Sequence, residues 1–299
     1  VKRFNEAIDY FIKAIKIMPT YSSPYYNLGS LYEKLNQTEN LEDLTKRASS
    51  KLGEKDPIIL LFQAQLESTK GNTGKSLEIL LDIEPSKLPS QFRTDFYSLR
   101  GKAYDKLGEF SQAFKSFETQ NKLSEELNQD KLPESESFLI ETYQLKNSWQ
   151  SIKSYKSKKF DFIEKDNLVF LLGFPRTGTT LLDTILMGHP DIIVLEEAPM
   201  AEIMIEDFNG IGTPEDCYNL TKTDLVEFRK LYKIELEKQL GYSSKGKLIV
   251  DKHPLNTRYI PLLHHAFPDA KFIVALRHPC DCILSCFMQN FEFNKGTGN

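Results

Sequence analysis

The stretch Gly173 to Thr180, GFPRTGTT, lies between the apolar run NLVFL and LLDTILMGHP, whose spacing predicts a helix. Strand, glycine-bearing loop and helix in that order constrain the fold more than any other feature of the chain. Such a unit belongs in a parallel sheet, with ligands at the C-terminal ends of the strands. KLIVD and KFIVALR supply further short apolar strands, so an α/β pattern is expected from Asn167 onward. In the loop, glycines allow close backbone approach, and the following helix aims free N–H groups and a positive dipole at an anion. The stretch nearly spells the phosphate loop G-x-x-x-x-G-K-[ST], but Thr179 stands where the lysine belongs. That lysine holds the β- and γ-phosphates, so its loss suits a nucleotide with a shorter anionic tail better than ATP. Thr179 and Thr180 offer hydroxyl donors, and Arg176 can supply the positive charge.

The first half repeats itself. SSPYYNLGSLYEKLNQTENLEDLTKRA puts Tyr25, Leu28, Gly29 and Tyr32 on one helix, with Leu41 and Ala48 on the next. TDFYSLRGKAYDKLGEFSQAFKSFETQ does the same with Tyr97, Gly101, Tyr104, Gly108, Ala113 and Phe117. FNEAIDYFIKAIKIMPT supplies an earlier second helix through Ala7, Phe11 and Ala14, closed by Pro19, and Ala64 and Gly71 mark a degenerate copy. These spacings resemble the tetratricopeptide repeat, a helix hairpin of about 34 residues. Each hairpin exposes an apolar face that only a neighbour can bury, so the units must stack. Such a stack can serve as a concave peptide-binding groove or as a shoulder for the domain that follows.

The expected organisation is a tetratricopeptide helical domain over residues 1–130, a polar helical connector over 131–165, and an α/β domain over 166–299. Across all 299 residues the hydrophobic share is 40% and the net charge −4. That is enough apolar content for packed cores, and it lacks the basic field of a nucleic-acid binder. No apolar run approaches the ~18 residues of a membrane span, and no signal-peptide pattern opens the chain. Three of the 4 cysteines, Cys280, Cys282 and Cys286, lie close together and Cys217 lies apart. The C-x2-C pairs of a zinc site are missing, so these read as packing thiols in a reducing compartment and no metal is expected.

Three motifs in order, GFPRTGTTLL…HPDIIVLEE, DKHPLNTRYI…FPDAKFIVALRHP and CDCILS, resemble sulfotransferases that use 3′-phosphoadenosine 5′-phosphosulfate (PAPS). The likeness is to the tyrosylprotein sulfotransferases and to sulfotransferases that carry N-terminal tetratricopeptide repeats. It implies a P-loop-like α/β sulfotransferase domain with PAPS as co-substrate and no metal. Arg176, Thr177, Gly178, Thr179 and Thr180 would wrap the 5′-phosphosulfate, while Arg277 and Ser285 match the pair that holds the 3′-phosphate. Glu197 aligns with the family's catalytic base, and Lys252 with the lysine that stabilises the leaving oxygen. His253 competes as a base, because small-molecule sulfotransferases use a histidine near an equivalent lysine. There, however, one residue intervenes, and on a strand that shift turns the side chain to the opposite face. His189 reads as the end of the loop helix, and His264 and His265 as helix surface. Secretory-pathway tyrosylprotein sulfotransferases carry cysteines where this chain has Val194 and Val250, which favours a cytoplasmic enzyme. Related enzymes add a later segment that closes over the nucleotide, so the domain is expected to be C-terminally incomplete. The implied acceptor is a hydroxyl, either of a tyrosine in a protein or peptide held by the repeat groove, or of a glycan or small molecule.

Two other readings remain open on the sequence. KLIVD, ending in Asp251, looks like a Mg²⁺-binding strand and would suit a P-loop kinase or NTPase using Mg-ATP. A non-catalytic repeat scaffold is the other, against which the complete set Arg176, Glu197, Lys252, Arg277 and Ser285 argues.

Overall fold

A computed structural model describes residues 4–151, 160, 162, 165–207 and 213–291. Among them, one compact unit takes in the chain up to Leu132 with the stretch from Phe287, and a second runs from Pro133 to Cys286.

The first unit is helical throughout. It comprises α1 (Phe4–Ile17), α2 (Ser22–Lys34), α3 (Thr38–Leu52), α4 (Pro57–Thr69), α5 (Thr73–Leu81), α6 (Ser90–Lys106) and α7 (Phe110–Leu127). The hairpins α2–α3, α4–α5 and α6–α7 turn in the same way. Gln37 N–H donates to Tyr32 O, Asn72 N–H to Glu67 O and Glu109 N–H to Tyr104 O, at 2.8, 2.9 and 2.9 Å. This six-to-one bond needs a left-handed residue just past the helix. Gly71 and Gly108 supply it, and Asn36 takes the same role with φ 54°. Within α6–α7 the helices approach so closely that a Cβ on Gly101 would sit 2.7 Å from the Phe117 ring. The degenerate hairpin is fastened differently, by buried Ser76, whose hydroxyl donates to Ala64 O at 2.7 Å. Tyr25, Leu28, Leu44, Ile59, Phe62, Phe92 and Phe96 form the shared core. These are the repeats and the apolar faces expected from the spacing.

In the second unit α8 (Leu132–Ser151) precedes an α/β layer. Its elements are β1 (Leu168–Gly173), α9 (Thr179–Met187), β2 (Ile192–Glu196), α10 (Met200–Asp207), α11 (Pro214–Asn219) and α12 (Lys222–Leu240). After these come β3 (Leu248–Lys252), α13 (Ile260–Ala266), β4 (Lys271–Ala275) and α14 (Pro279–Phe287). All strand pairs are parallel and the order is β2-β3-β1-β4. β1 lies between two neighbours and is buried along its whole length, as a continuous apolar run requires. On one sheet face Phe170, Phe228, Tyr232 and Phe267 pack together with α12 and α13. On the other, Val169, Leu171 and Val250 meet Leu182 and Leu186 of α9. β2 is the strand that the apolar-run reading passed over. Val194 and Val250 are register partners across β2 and β3. The fold is thus an all-α repeat unit followed by a parallel α/β unit.

Candidate active site

The loop after β1 is built tightly. Gly173 lies where a Cβ would come 2.6 Å from Thr177 Oγ1 and 3.0 Å from Ala275 O, so only glycine fits without a shift. Thr177 donates its hydroxyl to Phe174 O at 2.7 Å, closing the turn. Arg176 and Gly178 both have positive φ, 70° and 100°. For arginine that conformation is costly and is kept only where surroundings enforce it. Gly178 caps α9, whose first N–H groups point out of the helix start, the geometry of an anion cradle. Thr180 is exposed at this cradle, whereas Thr179 is buried beneath it, its methyl close to Gly173. Of the two threonines, the exposed one is therefore the residue after the missing lysine.

Two further residues close on the same loop. Arg176 Nε donates to Ser285 Oγ on α14 at 3.0 Å, and Arg277 Nη1 donates to Arg176 O at 3.2 Å. Arg277 follows β4 and Ser285 lies two turns into α14, so the eight-residue separation is folded into one neighbourhood. Both guanidinium-bearing residues are exposed. Arg277 Nε also lies 3.7 Å from Asp281, which is itself largely exposed. Two cations, a hydroxyl and a helix start meeting in one place favour a multiply charged anion.

Beside the loop helix lies a charged cluster centred on Lys252, the last residue of β3. Its ammonium is 2.8 Å from Glu197 Oε1, 3.1 Å from Asp183 Oδ2 and 3.4 Å from Glu196 Oε1. The Lys252 side chain is 0% exposed and that of Asp183 1%, while those of Glu196 and Glu197 are 53% and 58% exposed. Burial pulls the Lys252 pKa down, but the hydrogen bond to Glu197 and the close negative charge of Asp183 outweigh it and hold the value above that of an ordinary lysine. The ammonium is kept charged inside the protein, with one face turned towards solvent-facing carboxylates. Glu197 sits just beyond β2 with φ 49°, and its N–H donates to Lys252 O at 2.7 Å. That bond extends the β2–β3 ladder by one residue and fixes where its carboxylate emerges.

Neighbouring groups fall away from this cluster. Asp251 is fully buried on the opposite strand face, accepting the Tyr232 hydroxyl of α12 at 2.6 Å. Burial raises its pKa to about 7. A carboxyl so placed is not presented to the phosphate loop, which removes the main support for a magnesium-holding strand. Burial lowers the His253 pKa, and its Nδ1 is buried without a hydrogen-bond partner among the described residues. His189 accepts from the Asp191 N–H at 3.1 Å, just past the end of α9. His265 corrects an expectation. It is buried and meets the Phe160 ring at 5.8 Å, because α13 packs that side inward while His264 stays exposed. Asp183 was not anticipated, since LLDTIL reads as an apolar helix. The available signal was its spacing, one turn after Thr179 and therefore on the same inward face.

All four cysteines are free thiols. Among the described residues no group of His, Cys, Asp and Glu is arranged to hold a metal, and no helix is long and apolar enough to cross a membrane.

Comparison with known proteins adds the following. Residues 168–298 match the model of a sulfotransferase family, and residues 22–42 and 94–126 match the tetratricopeptide repeat. An uncharacterized protein of Aquifex aeolicus is 25% identical over 91% of this chain and 36% of its own length. Nodulation protein NoeE of Sinorhizobium fredii is 29% identical over 38% of this chain and 29% of its own length. Protein-tyrosine sulfotransferase 1 of Homo sapiens is 27% identical over 40% of this chain and 34% of its own length. The matched parts thus amount to about a third of each of these relatives.

Proposed function

Given that the chain carries a sulfotransferase-family domain behind tetratricopeptide repeats, we propose that it transfers a sulfuryl group from PAPS to an acceptor hydroxyl. The observation that carries this reading is the convergence of Arg176, Arg277 and Ser285 on the phosphate loop, beside the Lys252–Glu197 pair. Two exposed guanidinium groups, Arg176 on the loop and Arg277 after β4, suit a nucleotide with phosphates on both sides of the ribose. The donor set fits that nucleotide: backbone N–H groups and Thr180 at the α9 start, Arg176 at the loop, Arg277 and Ser285 for the 3′-phosphate.

When bound, PAPS supplies the sulfuryl group and a bisphosphate leaving group. Glu197 takes the acceptor's proton as the new oxygen–sulfur bond forms. Lys252 stabilises the negative charge that collects on the bridging oxygen as its bond to sulfur breaks. Positioning of the two reactants supplies much of the remainder, with no metal required. The ion pair between Glu197 and Lys252 is the resting arrangement, and the acceptor must draw the carboxylate away from the ammonium.

A tyrosine hydroxyl in a peptide is the acceptor class we favour. Its support is the similarity to a protein-tyrosine sulfotransferase and the presence of repeats suited to holding protein. Glycan and small-molecule hydroxyls are the competing classes. Free thiols, with valines at positions 194 and 250, support a reducing, cytoplasmic setting. The test is transfer of ³⁵S from labelled PAPS to a panel of tyrosine peptides, oligosaccharides and phenols. Label on the peptides is expected. Label only on sugars or phenols would reject the peptide acceptor, and label on none would reject the transferase reading for this chain.

A further inference from the structure

The Lys252 ammonium faces three carboxylates, and only one of them is sealed from water. Asp183 lies one turn into the loop helix, its Oδ1 accepting the Thr184 hydroxyl at 3.2 Å and its Oδ2 facing Lys252 Nζ at 3.1 Å. Both side chains are essentially without exposure, so neither can exchange this partner for solvent. Glu196 and Glu197 approach the same ammonium from the exposed side. Asp251 and His253 flank it in the chain, Asp251 turned to Tyr232 on the other strand face and His253 lying under the influence of Glu202, while β1 contributes only apolar residues LVFLLG. If Glu197 leaves Lys252 to accept a proton, a lysine with no buried counter-ion would be stranded in a desolvated position.

We propose that Asp183 is the positioning residue of this site: it holds the Lys252 ammonium at the end of β3 and joins it to the phosphate-loop helix. This deepens, and for its catalytic part rests on, the sulfotransferase reading. Asp183 touches neither reactant. It acts through Lys252, and because it rides on α9 the cation's position is fixed relative to the loop that would grip the phosphosulfate. Division of labour follows. The buried carboxylate keeps the lysine charged and in place, leaving the exposed Glu197 free to act as base.

Asp183→Asn keeps the shape and removes the charge. In ligand-free protein, a ¹³Cε NMR titration should put the Lys252 midpoint above that of an ordinary lysine in the wild type. In the variant that midpoint should fall by about one pH unit or more relative to wild type. The alkaline limb of the kcat profile should shift down by the same amount, since less lysine remains protonated at a given pH. kcat near neutrality should fall ~10-fold or more, with affinity for 3′-phosphoadenosine 5′-phosphate changed by less than about 3-fold. Asp183→Glu should restore part of both the lysine titration and the alkaline limb. An unmoved Lys252 titration in Asp183→Asn would overturn the proposal. So would parallel losses of kcat and nucleotide affinity that Asp183→Glu does not relieve, because that is the pattern of a packing defect. Should Asp183→Asn not fold, Lys252→Met is added to it. Recovered folding supports the pairing, and continued failure to fold contradicts it. A shifted lysine titration in a protein whose wild type transfers no sulfuryl group would leave the Asp183 contact standing and reject only the proposed reaction.

Discussion

Glu197→Gln is expected to lower kcat by ~10²–10⁴, or roughly 3–5 kcal/mol of transition-state stabilisation, while nucleotide affinity stays nearly the same. The substitution conserves size and keeps one oxygen near Lys252 Nζ, which lies 2.8 Å from the native carboxylate. What it removes is the capacity to take up a proton. Steady-state kinetics with labelled PAPS, together with calorimetric affinity for the bisphosphate product, check both halves. Glu196→Gln is the matched control. Its carboxylate is farther from the ammonium, at 3.4 Å, and sits one residue earlier on the strand. It should change kcat by only a few-fold. Near-normal turnover in Glu197→Gln would remove Glu197 from the role of base, and His253 would be the next residue to test.

Arg277→Ala should act on binding instead. Charge-assisted hydrogen bonds contribute about 1.5–3 kcal/mol each, so losing the guanidinium should weaken binding of 3′-phosphoadenosine 5′-phosphate by ~10–100-fold. Affinity for adenosine 5′-phosphate, which lacks the 3′-phosphate, should hardly change. That contrast tests what Arg277 is for, because a general loosening of the loop would weaken both ligands alike. Arg277 also donates to Arg176 O at 3.2 Å, so its loss removes one contact that holds the loop. Equal losses for the two nucleotides would therefore reject its assignment to the 3′-phosphate.

Much of this architecture is legible in the sequence because local rules and tertiary packing agree there. Gly71 and Gly108 mark helix turns that need a left-handed residue, and Gly101 marks a helix crossing closed by Phe117. Continuous apolar LVFLLG, short and followed at once by the glycine-bearing GFPRTGTT, reads as a strand buried on both sides and a tight loop. What stayed hidden depends on partners distant in sequence. Asp183 looks like a lone polar residue on an apolar helix until β3 brings Lys252 to it. Asp251 and Lys252 are adjacent, yet strand alternation sends one to Tyr232 and the other to the carboxylates. His265 differs from His264 only in which side of α13 packs inward. The hydrogen bond from Arg176 to Ser285 spans 109 residues, and no local pattern encodes it.

The most direct test of the central claim is calorimetric titration of the chain with 3′-phosphoadenosine 5′-phosphate, with ATP and Mg²⁺ titrated in parallel. The account predicts saturable one-to-one binding of the bisphosphate and at least ~100-fold weaker binding of Mg-ATP, since the phosphate-loop lysine is absent. Preference for Mg-ATP would contradict it and turn the loop back towards a kinase or NTPase. Binding of neither would contradict it too, and leave the repeats as the working part of this chain.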